Sequence, residues 1–354
     1  MNKNEKIIVG ISIGDLNGIG SEVVLKSFKD SRMLDFCTPV IFASVKVMSF
    51  FKKSYELDIS LHGIDSLDRI VHKKINVLNV WKEPVDINFG KEDPVMGAYA
   101  IKSLEAAVKA LKEEKIDVLV TAPINKSNVQ SESFAFPGHT DYLAQELGGD
   151  SLMFMISDEL KVGLLTDHVA VKEVSNTITR ELIDKKIITV HKTLIEDFGI
   201  VKPKIAVLGI NPHTGDGGVI GNEDDVVLRP ALDNIRNNGK LVMGPYAADS
   251  FFGSGNYKQF DAVIASYHDQ GLIPFKTLAF GSGVNYTAGL NRIRTSPDHG
   301  TAYDLAGQNK ANPSSFSQAI FRAISIFKNR REHELYSENP LRTNRKKAAV
   351  KKNS

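Results

Sequence analysis

Short apolar runs rich in valine and isoleucine recur along the chain, each bounded by polar residues, glycine or proline. Most of these runs are continuous rather than alternating, which is typical of strands that are covered on both faces. We therefore predict a strand in each of the runs 6–14, 39–44, 75–80, 117–123, 152–157, 161–166, 204–210, 240–246 and 261–267.

Longer segments with apolar residues at helical spacing lie between these runs. In the segment 96–115, Ala100, Leu104 and Leu111 fall near one stripe, as expected for a helix that packs against a core. The predicted helices are 21–30, 96–115, 179–198 and 223–239. This alternation of strands and helices predicts an α/β fold with a mostly parallel sheet.

Two polar, glycine-containing segments interrupt the alternation. Residues 126–150 are predicted to cross between two lobes. Residues 281–307 are too rich in glycine and polar residues for packed sheet, so we predict an irregular loop of the kind that is usually functional. In SYHDQGLIPFK (266–276), Gly271 and Pro274 are expected to interrupt any helix.

The composition is that of a globular protein, with 354 residues of which 42% are hydrophobic and 24% charged. The length favours two domains over one. The formal net charge of +2 gives no overall electrostatic reason to expect a nucleic-acid partner. The basic stretch RTNRKKAAVKKNS at the C-terminus predicts a disordered, solvated tail, with a nucleic-acid or membrane-surface tether as the alternative.

Cysteine usage and the N-terminus bear on the compartment. Cys37 is the only cysteine, so no internal disulfide can form, which fits a reducing compartment. The N-terminal residues lack the long apolar core and the small-residue cleavage site of a signal peptide. No run reaches the roughly 18 apolar residues of a membrane span. We therefore predict a soluble cytoplasmic protein without a membrane partner.

Three of the nine histidines follow predicted strands, at the carboxyl ends where open α/β sheets bind ligands. They are His168, His213 and His268. Three neutral imidazoles at equivalent positions suit a divalent metal site with open coordination positions. Asp167, Asp249 and Asp269 also follow predicted strands and could orient the imidazoles. A structural role is the alternative for each histidine taken singly.

Two glycine-containing motifs suit an anion. GDLNGIGSE (14–22) places three glycines where a strand turns into a helix, which fits an anion at a helix N-terminus or a tight structural turn. It is neither GxGxxG nor a P-loop. In FPGHTDYLA, His139 and Thr140 precede a helix, where they could bind an anion, or Thr140 could cap the helix.

Cationic and amide groups follow the last predicted strand. They are Lys276, Asn285, Arg292 and Arg294. A phosphate or carboxylate would suit this set, because guanidinium groups bind such anions with two parallel hydrogen bonds. Surface solvation is the alternative for either arginine.

Eight segments of the chain resemble segments of a known enzyme family. They are GDLNGIGSE, TAPINK, FPGHTDYLA, TDHVAVKEV, LGINPHTGDGGVIGNED, GPYAADSFF, YHDQGLIPFK and SPDHGTAYDLAG. Their order resembles the 4-hydroxythreonine-4-phosphate dehydrogenase family of vitamin B6 biosynthesis, and the first and last also look like segments of isopropylmalate and isocitrate dehydrogenases. Leu16, Asn17 and Ser21 depart from the commoner GDPAGIGPE, and NPHTGDGG departs from NPHAGEGG.

The resemblance implies two α/β/α lobes of the isocitrate/isopropylmalate dehydrogenase type, with the active site in the cleft. It implies a first lobe of residues 1–128 plus 275–335 with the cofactor segment. It implies a second lobe, 129–274, with metal ligands and dimer contacts. The predicted basic tail, 338–354, lies outside the resemblance.

The resemblance also implies the site residues. A divalent metal (Zn, Co, Mn, Ni or Mg) would be bound by His168, His213 and His268, shared between the subunits of a homodimer. The substrate contacts would be His139, Thr140, Lys276, Asn285 and Arg294. NAD, with NADP as the alternative, would bind near His299, Gly300, Thr301, Ala302 and Asp304. The catalytic candidates are Asp249, Asp269 and Lys276.

The implied reaction is the NAD-dependent oxidation of the secondary alcohol of 4-phosphooxy-L-threonine. The resulting keto acid then loses CO2 to give 3-amino-2-oxopropyl phosphate. One alternative is the dehydrogenation of a phosphorylated threonate, which differs by a hydroxyl in place of an amino group. A second is a non-catalytic protein that binds a phosphometabolite.

Overall fold

A twelve-stranded sheet is the centre of the fold. The computed structural model of the protein describes residues 6–338, apart from 132, 133, 137 and 280. The strands are β1 (Ile7–Ser12), β2 (Cys37–Ala43), β3 (Leu61–Ile64), β4 (Ile75–Asn79), β5 (Val118–Thr121), β6 (Gly149–Ile156), β7 (Lys161–Leu164), β8 (Lys204–Leu208), β9 (Leu241–Tyr246), β10 (Ala262–Ala265), β11 (Val284–Leu290) and β12 (Arg294–Pro297). They pair in the order β3-β4-β2-β1-β5-β12-β11-β6-β7-β10-β8-β9.

Helices alternate with these strands along the chain, and most of them pack against the sheet. They are α1 (Gly20–Lys26), α2 (Met33–Phe36), α3 (Val45–Ser54), α4 (Pro94–Lys112), α5 (His139–Leu147), α6 (Val174–Thr177), α7 (Arg180–Glu196), α8 (Arg229–Asn237), α9 (Ala248–Gly253), α10 (His268–Leu278) and α11 (Ser314–Glu338). The four predicted helices are confirmed as α1, α4, α7 and α8, and a π-helical turn precedes α8.

The strand pairing confirms the predicted fold class. Each of the nine predicted runs contains a strand. The strand pairs on both flanks of the sheet are parallel, whereas β12–β11, β11–β6 and β6–β7 in the middle are antiparallel. The protein is therefore an α/β protein with a mostly parallel sheet. The division into two lobes stays a prediction.

The prediction of an irregular loop over 281–307 was wrong for 284–297, because β11 and β12 lie in the middle of the sheet, whereas 298–307 contains no helix or strand. Polar residues in these strands are buried with partners, as in Thr295, whose hydroxyl donates to the Ala319 carbonyl at 2.8 Å. Gly289 lies at a register shift with φ of +78°, where a Cβ would lie 2.1 Å from the Asp150 carbonyl. The composition therefore reflects paired polar groups and a bulge rather than a loop.

The expected interruption at Gly271 and Pro274 was also wrong, because both residues lie inside α10. A Cβ on Gly271 would lie 2.8 Å from side-chain atoms of Ala265 and Val162, so glycine lets the helix approach the sheet closely. Gln270 anchors the start of the helix, since its amide accepts from the Ser266 N–H and donates to the Gly209 carbonyl, both at 2.7 Å. Tertiary packing thus overrides the local preference.

The turn after β1 packs closely against the backbone of neighbouring segments. A Cβ on Gly14, which has φ of +70°, would lie 2.3 Å from the Pro123 carbonyl, and one on Gly18 would lie 2.8 Å from the Thr301 carbonyl. Asp15 is buried, and its Oδ2 accepts from the Tyr303 hydroxyl at 2.7 Å. Of the two interpretations of GDLNGIGSE, these contacts favour the tight structural turn.

Two predictions concern membrane spans and the C-terminal tail. Over the residues that the structure covers, no helix has both the length and the apolar character needed to cross a membrane. Helix α11 ends at Glu338. Glu338, the first residue of the predicted tail 338–354, belongs to α11, and residues 339–354 lie outside the described residues.

Gly97 in α4 provides a test of the packing. A Cβ at this position would lie 2.0 Å from the Asn128 carbonyl oxygen, so backbone has to move. We expect Gly97→Ala to lower the free energy of unfolding by roughly 2 kcal/mol, as overpacking of a rigid contact does. Urea titration followed by circular dichroism measures the change.

Gly253 at the end of α9 is the matched control, because a Cβ there would meet no atom within 4 Å beyond its own local backbone. Gly253→Ala should leave the free energy of unfolding within about 1 kcal/mol of the parent, which is the size of the helix-propensity difference. Equal effects of the two substitutions would contradict the close approach of α4 to Asn128.

Candidate active site

A cavity of about 290 Å³ lies at the carboxyl ends of β5 and β12, beside the first turn of α5. This is the edge of a parallel sheet at which α/β proteins bind ligands. Predicted site residues from six separate places in the chain line the cavity. They are His139, Thr140, His168, Lys276, Asn285, Arg294, His299 and Gly300.

Arg294 is a buried cation in this cavity, with only 2% of its surface exposed. Its Nε and Nη2 donate to Thr121 Oγ1 at 3.1 and 2.6 Å, and its Nη1 donates to Thr287 Oγ1 at 3.0 Å. Burial lowers the pKa of Arg294 to about 9, so the group is still charged at neutral pH. In the described part of the chain no carboxylate pairs with it, and a buried charge of this kind favours an anionic ligand.

Three further residues present buried polar atoms without a partner among the described residues. They are His139 (Nε2), Asn285 (Oδ1) and His299 (Nε2). Burial lowers the pKa of His139 well below its usual value, and the charges of Arg294 and Lys126 act in the same direction. Burial also lowers the pKa of His299. Both imidazoles are therefore neutral at pH 7, and these unpaired atoms are suited to hydrogen bonds with a ligand.

The first turn of α5 contributes His139 and Thr140 to the cavity wall. Gly138 is the N-cap residue, and Thr140 lies inside the helix, so Thr140 does not have the capping role that the sequence suggested as the alternative. Lys126 lies beside this turn and also lines the cavity. A helix N-terminus, a lysine and a buried arginine together make this wall electropositive.

Lys276 and Asp298 form an ion pair at the cavity wall, with Nζ 3.2 Å from Asp298 Oδ1. Burial raises the pKa of Asp298, and the positive charge of Lys276 opposes this shift. The sequence pattern did not single out Asp298. Asp298 follows β12 directly. A polar residue after a strand is a candidate site residue, but the sequence did not predict β12.

Two other cavity residues were missed, and one candidate lies elsewhere. Thr121 holds Arg294, and Lys126 follows the same strand, β5, within the TAPINK segment. Arg292 forms a surface ion pair with Glu114, with Nη2 2.6 Å from Oε1. Surface solvation was therefore the correct alternative for Arg292 but not for Arg294.

The rings of His168 and His268 lie close together, with their centroids 6.2 Å apart. Two imidazoles this close to each other can contribute to one divalent-metal site. His268 Nδ1 lies 2.7 Å from Asp269 Oδ1. Because a carboxylate accepts, this contact places the proton on Nδ1 and leaves Nε2 free to bind a metal.

His213 lies in a separate hollow, whose lining also includes Asp249, Tyr267 and Gln270. Among the residues that the structure describes, no group of three histidine, cysteine or acidic side chains could hold a metal ion. One chain therefore brings two of the three predicted ligands together. The remaining catalytic candidate, Asp249, lies with His213.

The backbone that carries His213 is unusual, because every φ from His213 to Gly218 is positive. Buried Asp224 holds the base of this left-handed turn. Its two oxygens accept from the N–H groups of Ile210 and Asn211 at 2.8 and 2.9 Å. Non-glycine residues in this region are strained, so the surrounding contacts have to fix the conformation.

The predicted cofactor segment is divided. His299 and Gly300 line the cavity. The Thr301 carbonyl accepts from the Ile19 N–H at 2.9 Å, and Ala302 has a φ of 42°. Asp304 is exposed, and its carbonyl accepts from the Gln308 side chain at 2.5 Å. The segment thus runs from the cavity onto the turn after β1.

Comparisons with known proteins agree with this architecture. A chain from Bacteroides thetaiotaomicron named 4-hydroxythreonine-4-phosphate dehydrogenase is 47% identical over 342 residues, covering 96% of this chain and 94% of that protein. A D-threonate 4-phosphate dehydrogenase from Cupriavidus necator is 35% identical, covering 90% and 97%. The crystal structure of 4-hydroxythreonine-4-phosphate dehydrogenase from Klebsiella pneumoniae superposes with a TM-score of 0.79 at 31% identity, covering 92% and 99%.

These relatives are dehydrogenases, which confirms the prediction of an oxidoreductase. The model of the family described as pyridoxal phosphate biosynthetic protein PdxA matches residues 35–323. The chain belongs to the PdxA family.

Proposed function

We propose that this enzyme oxidises 4-phosphooxy-L-threonine with NAD and a divalent metal, and that the product then loses CO2 to give 3-amino-2-oxopropyl phosphate for pyridoxal phosphate synthesis. The observation that supports this most is the buried guanidinium of Arg294, which has hydroxyl partners but no carboxylate partner among the described residues. Such a site favours a ligand with a phosphate or carboxylate group.

The residues of the cavity have distinct roles in this proposal. Arg294 and Lys126 bind an anionic group of the substrate. His139 and Asn285 form hydrogen bonds with the same ligand through their unpaired Nε2 and Oδ1 atoms. Thr140 and Lys276 complete the wall, so the phosphate and the carboxylate of one small molecule can be held at once. Binding through several fixed groups orients the alcohol for reaction.

The metal would be held by His168 and His268, with His213 from a second copy of the chain. A divalent cation at this position would act as a Lewis acid towards an oxygen of the substrate. The contact from Asp269 to His268 Nδ1 fixes the tautomer that leaves Nε2 available. The donor set of imidazoles suits zinc, cobalt or nickel better than manganese or magnesium.

NAD, with NADP possible, would bind near His299 and Gly300 at the rim of the cavity. It would accept hydride from the carbon that carries the alcohol. His299 offers an unpaired Nε2 on a neutral ring. Thr301, Ala302 and Asp304 belong to the same proposed segment, which the turn after β1 supports.

A homodimer would complete the site. An apolar groove lies on α9 and α10, and its lining includes Phe252, Ile273 and Leu278. Ile273 and Leu278 are 63% and 40% exposed. The groove shares Asp249, Tyr267 and Gln270 with the hollow that contains His213. A second copy seated on this face would cover the apolar side chains and bring its own residues beside the hollow.

A phosphorylated threonate is the second candidate substrate. Relatives at 35% identity carry the name D-threonate 4-phosphate dehydrogenase. The two substrates share the phosphate, the alcohol and the carboxylate, and they differ in an amino versus a hydroxyl group. We place the enzyme in the cytoplasm, with the phosphorylated substrate and a second subunit as its partners, and without nucleic acid or membrane.

The activity assay separates the candidates. We expect purified enzyme with NAD and a divalent cation to form NADH and CO2 from 4-phosphooxy-L-threonine, with a kcat/KM at least about tenfold above that for 4-phospho-D-threonate. Chelation should abolish the rate, and added metal should restore it. The reverse preference would support the threonate activity. If neither substrate gives NADH, the remaining candidate is a non-catalytic protein that binds a phosphometabolite.

Arg294 provides a test that needs no turnover. Inorganic phosphate should raise the melting temperature of the parent protein, because a ligand that binds the folded state stabilises it. In Arg294→Met this response should disappear. The unliganded free energy of unfolding should stay equal or rise by up to about 2 kcal/mol, since a buried unpaired charge is removed.

Arg292→Met is the matched control, because Arg292 lies two residues away but pairs with Glu114 at the surface. It should keep the full response to phosphate. If Arg294→Met lowers stability and still responds to phosphate, the proposed anion site is wrong.

Subunit complementation tests the shared metal site. His168→Ala, His213→Ala and His268→Ala should each lose activity and bound metal. Mixed dimers of the His168 and His213 variants retain one intact site in each heterodimer, so random mixing should restore about a quarter of the parent activity. The His168 and His268 pair should restore nothing, because both ligands come from the same subunit. Restoration in none of the pairs would contradict a site shared between subunits.

A further inference from the structure

Lys276 is a flexible group in a fixed cavity. Its side chain is 52% exposed and extends from α10 to the cavity wall. A lysine ammonium on a four-carbon stem has many rotamers and is strongly hydrated, so exposure alone would leave its position poorly defined. Its Nζ nevertheless lies 3.2 Å from Asp298 Oδ1.

Asp298 is the rigid partner of this pair. Its side chain is 18% exposed, and its backbone N–H donates to the Ser315 hydroxyl at 3.0 Å. That hydroxyl donates in turn to the Gly283 carbonyl at 2.7 Å. Strand β12 and helix α11 thus hold the backbone of Asp298 from two sides.

Gly283 confines the carboxylate itself. A Cβ at this position would lie 3.2 Å from Asp298 Oδ2 and 2.9 Å from a ring carbon of Phe275. The carboxylate therefore packs directly against the backbone of residue 283. Since Phe275 precedes Lys276 in α10, the same contact ties the helix to this wall.

The charges around the cavity explain why a carboxylate is needed there. Arg294 and Lys126 already place two cations at the cavity. A third cation would turn towards solvent unless an anion held it at the wall. Asp298 supplies that anion, and its charge is directed at Lys276 rather than at Arg294.

We propose that Asp298 is a positioning residue, which holds the Lys276 ammonium over the cavity in the orientation that the bound substrate meets. The kinetic part of this inference rests on the proposed dehydrogenase function. The restraint on Lys276 does not, because the ion pair joins two side chains of the chain itself.

A double-mutant cycle tests the kinetic part. Asp298→Asn keeps the shape and removes the charge, and we expect it to lower kcat/KM about tenfold through loss of orientation. When Lys276 is already replaced by alanine, Asp298→Asn should lower kcat/KM by less than about twofold, because Asp298 acts through Lys276. If the effects of the two substitutions on kcat/KM multiply in full in the double variant, the inference is wrong.

Asp68→Asn is the matched control. Lys115 Nζ lies 3.2 Å from Asp68 Oδ1, and Lys115 is 51% exposed, so the pair has the geometry of Lys276–Asp298 away from the cavity. This variant should keep kcat/KM within about twofold of the parent, since a surface ion pair contributes little.

A labelling measurement tests the restraint without substrate. A water-soluble acylating reagent and peptide mass spectrometry give the modification rate of each lysine. In Asp298→Asn, Lys276 should react about threefold faster, because a half-exposed ion pair restrains the amine modestly. Lys115 in the same sample should react at the parent rate. An unchanged Lys276 rate would overturn the proposal even if the parent enzyme shows no dehydrogenase activity.

Discussion

The buried charge of Arg294 is the constraint on which the site depends. Its hydrogen bonds reach Thr121 on β5 and Thr287 on β11, the two strands that flank β12 in the sheet. The guanidinium therefore ties three adjacent strands together while two hydroxyl groups orient it without neutralising it. The neutral imidazoles of His139 and His299 and the neighbouring Lys276–Asp298 pair are arranged around this uncompensated charge.

The antiparallel strands in the middle of the sheet explain how distant residues meet. Strand β12 runs parallel to β5, so it ends at the same edge and delivers Asp298 there. Strand β11 runs in the opposite direction and begins at that edge with Asn285, which pairs with Ser296. A purely parallel sheet would have placed the start of β11 at the far edge. The direction of β11, opposite to that of β12, thus adds a second set of side chains to the cavity.

Much of this arrangement could be predicted from the sequence, for identifiable reasons. Continuous apolar runs marked nine strands, His139 and Lys276 stood in motifs that resemble one family, and Arg294 followed the last predicted strand. Strands β11 and β12 were missed because their polar residues are satisfied by partners far away in the chain. The Lys276–Asp298 pair was missed for the same reason. His213 lies apart from His168 and His268 within one chain, and the spacing of the three histidines in the sequence gave no sign of this separation.

The left-handed turn at His213–Gly218 has a consequence for how the sequence can change. Three of its residues, His213, Thr214 and Asp216, hold positive φ angles without being glycine, at roughly 1 kcal/mol each. Random variation screened for folding alone would therefore drift towards glycine at these positions. The present sequence retains a side chain at each of them, and Thr214 uses its hydroxyl to accept from Arg229 at 3.1 Å. At this turn, glycine would give the higher thermal stability, whereas the function of the side chains favours the residues that are present.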